Sequence, residues 1–143
     1  MDTKALDKLI KSLKNPPMAK VGILGNNRKE GSNAEIGAKH ELGLDGMPVR
    51  SFLRMPLIEH LQENLEKSQA FDEDVLKKVV KAGDVTEWLK KVITVAEAVI
   101  REGFQTGGYG KWPAWRGGYS NRTGLVLVDT QQLRDSITSE VVS

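Results

Sequence analysis

The chain has 143 residues, of which 39% are hydrophobic and 28% charged, and this length and balance suit one domain with a core of its own. It contains no cysteine, which excludes disulfides and thiolate metal sites and leaves His40 and His60 as the nitrogen ligands. No apolar run approaches the roughly 20 residues that cross a bilayer, and a net charge of +2 is too small to mark general nucleic-acid binding.

Residues 1 to 15 set charge among Leu6, Leu9, Ile10 and Leu13 at steps of three and four, so 3 to 14 reads as a short amphipathic helix with Thr3 as its N-cap. The segment lacks the continuous apolar stretch and small-residue cleavage site of a signal peptide, so the protein is expected to stay in the cell that makes it. Asn15-Pro16-Pro17 ends the helix. Residues 19 to 24 then read as a strand, with Val21 and Ile23 on one side and Gly22 and Gly25 allowing close approach or a bend. Residues 26 to 33, with Arg28, Lys29 and Glu30, are polar and read as an exposed hairpin loop. Over 34 to 40, Ala34, Ile36 and Ala38 alternate as a returning strand would, and the strand is preferred to a short helix, which the composition fits equally.

Gly43, Gly46 and Pro48 break the chain, and Ser51 is placed to cap a helix reaching about Lys67. Its buried stripe is Phe52, Leu53, Leu57, Ile58, Leu61 and Leu65, and Pro56 fits only near its beginning. A second helix, about 73 to 82, carries Val75, Leu76, Val79 and Val80 to a C-terminal cap or turn at Gly83. The strongest element is 85 to 104, where Val85, Trp88, Leu89, Val92, Val95, Ala96, Val99 and Ile100 form one apolar face. Asp84, with Glu87 three residues later, has the spacing of a capping box at its start. Residues 105 to 124 hold six glycines with Tyr109, Trp112, Trp115 and Tyr119 and almost no aliphatic side chain, which makes a long exposed loop. After an apolar run at 125 to 128, Asp129 or Thr130 caps a short helix or turn through Leu133 and Asp135, and 137 to 142 alternates like a final strand. With no internal repeat, the pattern describes one α+β domain over 1 to 143, a mainly antiparallel sheet packed against a long amphipathic helix, with additional short helices.

Chemistry is sparse. His40-Glu41 pairs an imidazole with a carboxylate, but a helical zinc-protease motif needs a second histidine four residues on, where Leu44 stands. No serine or threonine pairs convincingly with a base, and no glycine pattern precedes the lysine and hydroxyl of a phosphate-binding loop. No catalytic residue, cofactor or metal is therefore expected. Lys111, Arg116 and Arg122 interleave with Trp112, Trp115 and Tyr119, an arrangement that stacks and neutralises single-stranded nucleic acid. The preferred alternative is a glycine-rich loop anchored by its tryptophans into its own core or a partner.

Two segments together resemble the phage virion morphogenesis and tail-completion families, which include the small neck and minor tail proteins of long-tailed phages. The first runs Ala34-Glu35-Ile36-Gly37-Ala38-Lys39-His40-Glu41-Leu42-Gly43, then Met47-Pro48-Val49-Arg50-Ser51-Phe52-Leu53-Arg54. It looks like the families' strand ending in a histidine or aromatic, then glutamate, an apolar residue and glycine, followed by a proline-x-arginine-x-phenylalanine helix entry. Gly43 permits a turn, Pro48 fixes an extended approach, Phe52 plugs the helix onto the sheet, and Glu41 and Arg50 are placed to pair. The second segment is Phe104 through Trp112-Pro113, then Leu127-Val128-Asp129-Thr130-Gln131-Gln132-Leu133-Arg134-Asp135-Ser136-Ile137. It resembles the families' tryptophan-proline loop and closing leucine-arginine-x-serine-isoleucine motif, with Gln131 where glycine is usual, which favours an ordinary helix start there.

The resemblance covers about 20 to 54 and 84 to 142. It implies a non-enzymatic virion subunit that forms a ring, a hexamer or dodecamer, at the head-tail junction or tail end, assembled in the host cytoplasm. Its partners would be further copies of itself and neighbouring neck, connector or tail-tube proteins, with no membrane and with DNA only as passing cargo. Contacts are expected from the two loops, with Arg28, Lys29, Glu30, Tyr109, Trp115, Arg116 and Tyr119 as candidates. A small nucleic-acid-binding adaptor is the competing expectation.

Overall fold

A computed structural model describes residues 3–23, 33–44, 46, 48–112 and 133–142. In chain order these form α1 (Thr3–Ser12), β1 (Met18–Ile23), α2 (Asn33–Leu42), α3 (Arg54–Lys67), α4 (Glu73–Ala82), α5 (Thr86–Gln105) and β2 (Ile137–Val142). Strands β1 and β2 run antiparallel, from Met18 opposite Val142 to Ile23 opposite Ile137. The class is α+β. The residues at 26 to 32, 113 to 124 and 125 to 128 that sequence assigned to loops and to an apolar run lie outside the described residues.

Helix α5 organises the rest because its apolar positions recur at helical spacing and meet different neighbours along its 20 residues. Its C-terminal half buries Ala96, Val99, Ile100 and Gly103 against the strands and α3. Its N-terminal half is only half-buried, and there the Trp88 indole donates to the Ala70 carbonyl at 3.0 Å while its ring lies 6.2 Å from that of Phe71. The helix begins at Thr86, not at Val85, so the reciprocal capping box does not form. Asp84 instead accepts from the Thr86 hydroxyl at 2.8 Å and the Thr86 N–H at 3.0 Å, and Glu87 pairs with Lys90. Those Thr86 hydrogen bonds hold the Asp84 carboxyl below the usual carboxylate range.

The segment 34 to 40, for which sequence favours a strand, is helical and belongs to α2. Alanine at alternate positions carries no strand preference, whereas helical spacing turns Ile36, Gly37 and His40 inward together. Gly37 permits the packing: a β-carbon there would lie 2.7 Å from Ile23 Cδ1 and 3.1 Å from Phe52 Cζ. The helix closes at Gly43, whose φ of 67° lets the Leu44 N–H return to the Lys39 carbonyl at 3.0 Å.

Helix α3 starts at Arg54, so Phe52 and Leu53 lie in its approach and not in its stripe. Ser51 still serves the helix end, accepting from the Met55 N–H at 2.9 Å. Pro56 sits in the first turn, where the missing N–H has no intrahelical partner to lose. Helix α4 ends at Gly83, with φ 67°, whose N–H reaches the Val79 and Val80 carbonyls. The side chain of Lys8 lies over Gly83, so α1 rests along α4.

The core is Phe52, Ile100, Leu133 and Ile137, with Val21, Ile23, Ile36, Leu53, Leu57, Phe104 and Trp112 packed around it. Replacing Gly37 with alanine would ordinarily stabilise a helix by about 1 kcal/mol. Here the methyl group meets Ile23 and Phe52, so G37A is expected to destabilise by about 1–3 kcal/mol in chemical denaturation.

Candidate functional site

The motif residues of the first segment surround the turn from α2 into α3. The Arg50 N–H donates to the His40 carbonyl at 2.7 Å, which ties the extended approach back onto α2. Both side chains are enclosed, His40 at 1% exposure and Arg50 at 4%. Desolvation pulls the Arg50 pKa below its ordinary value, yet guanidinium stays protonated, so the group is a held positive charge and not a proton donor. Glu41, read from sequence as a partner for Arg50, directs Oε1 to the Arg54 N–H at 2.6 Å and the Leu53 N–H at 3.3 Å. Its carboxylate thus caps α3 from the neighbouring helix, opposite the positive end of the helix dipole.

The second segment reaches the same place. Phe104 packs on Phe52 with ring centres 5.4 Å apart and meets the edge of Trp112 at 5.6 Å. The Trp112 indole donates to the Ser51 carbonyl at 3.3 Å, joining the tryptophan of one motif to the backbone of the other. Leu133 and Ile137 close the core on Phe52, and Ser136 Oγ donates to the Leu133 carbonyl at 2.7 Å within the helical turn 133–136. Arg134 is half-exposed, 3.4 Å from Asp135. Pro48 is exposed in the approach to α3.

Tyr109, expected as an assembly contact, is turned into its own chain. It adopts φ 58°, stacks on His60 with ring centres 3.8 Å apart, and its hydroxyl donates to the Val99 carbonyl at 2.8 Å. The left-handed conformation of Gly107, whose φ is 63°, ends α5 and sends the chain back over α3, where Lys111 pairs with Glu59. Burial and the nearby Glu102 carboxylate push the Tyr109 hydroxyl up to about 12. Arg28, Lys29, Glu30, Pro113, Trp115, Arg116, Tyr119, Asp129 and Thr130 lie outside the described residues.

These groups build a fold and offer little chemistry. His40 has no solvent path to a substrate, and His60 is committed to the Tyr109 ring, 3.8 Å from Glu59. Among the described residues no group of three histidine, aspartate or glutamate side chains is placed to hold a metal ion. No described helix is long and apolar enough to cross a membrane.

The described residues also present exposed apolar surface. Helix α3 exposes Met55 and Ile58 one turn apart, Ile58 at 69%. An open groove of about 710 Å³ runs along α4 beside α1, floored by Ala5, Phe71, Leu76 and Val80. Neither α1 nor α4 has a buried residue. The groove was not read from the sequence, although the exposed side of two short amphipathic helices was its signal. Glu41 as the cap of α3 lies twelve and thirteen residues from its partners and has no local pattern.

Glu41→Ala is expected to cost about 1 kcal/mol of stability through the lost cap, read by urea denaturation. Tyr109→Phe removes the bond to Val99 and should cost about 0.5–1.5 kcal/mol at neutral pH. The folded protein holds the Tyr109 proton more tightly than the unfolded chain, so this stabilisation is whole below pH 10 and is lost as pH rises from 10.0 toward about 12. Stability of the wild type should therefore fall more steeply over that window than that of Y109F, with the tyrosinate absorbance as the monitor.

In comparisons with known proteins, no family model matches the chain, and neither a curated protein nor a solved structure matches it.

Proposed function

We propose that this chain is a non-enzymatic structural subunit of a tailed bacteriophage, a neck, tail-completion or tail-terminator protein working in a ring at the head-tail junction or tail end. The observation that carries the reading is the convergence of the two motif segments. Phe52 of the first and Leu133 and Ile137 of the second share one core, and Trp112 donates to Ser51. The residues that resemble the families thus build one fold, and function falls to what that fold presents. Its partners are further copies of itself and the adjoining neck, connector or tail-tube proteins.

The competing reading, a nucleic-acid adaptor, relies on the aromatic and basic residues after α5. Within the described part of that segment, Lys111 is paired with Glu59, and Trp112 packs on Phe104, which leaves less of a stacking clamp.

The test is an image reconstruction of the particle made by the phage that encodes this chain, together with a knockout. The subunit is expected at the head-tail junction or tail end, and its loss is expected to leave heads and tails unjoined or tails of uncontrolled length. Absence from the particle, with a salt-sensitive mobility shift of DNA by the isolated protein, would establish the adaptor instead.

A further inference from the structure

Helix α3 and the α1–α4 pair expose surfaces of opposite character. On α3, Met55, Ile58, Glu59, Gln62, Glu63 and Glu66 recur at steps of one, three and four and form the exposed stripe. It offers two apolar side chains and three carboxylates; Glu59 is paired with Lys111 and Glu63 with Lys67 at 3.0 Å, the latter an exposed pair that another cation can replace at little cost. The groove on α4 reverses this balance. Phe71 and Leu76 stand 44% and 43% exposed in it, and Lys77 and Lys81 border it with Glu73. Counting both helices, Lys4, Lys8, Lys11, Lys77, Lys78 and Lys81 outnumber Asp7, Glu73 and Asp74.

An amphipathic helix is stable when its apolar stripe is covered, and α1 and α4 cover each other without burying a single residue. A third helix laid along them completes such a contact, and the complementary one belongs to this same chain. Resting on the assembly reading, we propose that the acidic stripe of α3 seats in the basic apolar groove of α1 and α4 on a second copy. Met55 and Ile58 meet Phe71 and Leu76, and Glu63 and Glu66 face Lys77 and Lys81. Because the two faces are unlike, the contact is head to tail. Each copy then keeps one free stripe and one free groove until a ring closes or a filament grows.

Charge reversal on the full chain tests this. Glu63→Lys with Glu66→Lys gives a protein basic on both faces, and Lys77→Glu with Lys81→Glu one acidic on both. All four side chains are exposed, and circular dichroism checks that each variant stays folded. Wild type is expected to associate with rising concentration in sedimentation velocity, less so at high salt. Each double variant should associate roughly tenfold or more weakly alone, while an equimolar mixture, and the fourfold variant, recover association. Ile58→Asp should weaken association and not be rescued by mixing.

Wild-type association by either double variant, no recovery on mixing, or a wild type monomeric at every concentration would overturn the contact. None of these bears on whether the subunit lies in the particle. Conversely, absence from the particle with charge-swap rescue intact would sink the phage reading and leave the contact standing.

Discussion

The packing of Phe52 is the contact on which the remaining structure depends. Its ring touches the backbone of α2 at Gly37, the ring of Phe104 at the end of α5, and the core side chains Ile100, Leu133 and Ile137. Burying a phenylalanine contributes about 1.5–3 kcal/mol by transfer alone. More important is position, because this side chain stands outside any helix, immediately before α3, and fixes where α3 begins. From that point Glu41 caps the helix, Trp112 reaches the Ser51 carbonyl, and the chain after α5 lies down along α3.

Two regions of unequal burial follow. Around Phe52 the side chains are enclosed, and Glu41 Oε1, the Trp112 indole and the Ser136 hydroxyl are held by backbone partners. Toward α1 and α4 burial thins, Trp88 makes the link through Ala70, and apolar side chains stand in the open. A chain with its stability concentrated at one end of α5 tolerates a loosely covered surface at the other. Such a surface suits association, since covering it changes exposure without rebuilding the core.

How much was legible in the sequence follows from the range of each interaction. α4, α5 and β2 lie close to their readings because apolar spacing and a closing Gly83 are local signals. α2 was missed because alanine at alternate positions satisfies a period of two and a helix alike, and the deciding contact is Gly37 against Ile23 and Phe52. The start of α3 shifted because Phe52, apolar and correctly spaced, packs on the core from the approach and not from the helix. In the candidate site, Phe52, Leu133, Ile137 and Trp112 were legible as motif residues, whereas the cap by Glu41 and the inward turn of Tyr109 depend on folds of the chain that no local pattern encodes.

The register of the two strands carries a consequence for how the molecule is made. Ile23 lies opposite Ile137 and Met18 opposite Val142, so β1 waits for a strand synthesised after helices α2 to α5. Helices form from neighbouring residues, but this pairing closes a loop that encloses nearly the whole described chain, and such closure is slow and entropically costly. On the ribosome the helical part therefore has a head start, and β1 offers its unpaired edge until β2 emerges. Completion of the sheet then acts as a late checkpoint: the core around Phe52 acquires Leu133 and Ile137 at the same moment that β1 gains a partner along one of its edges.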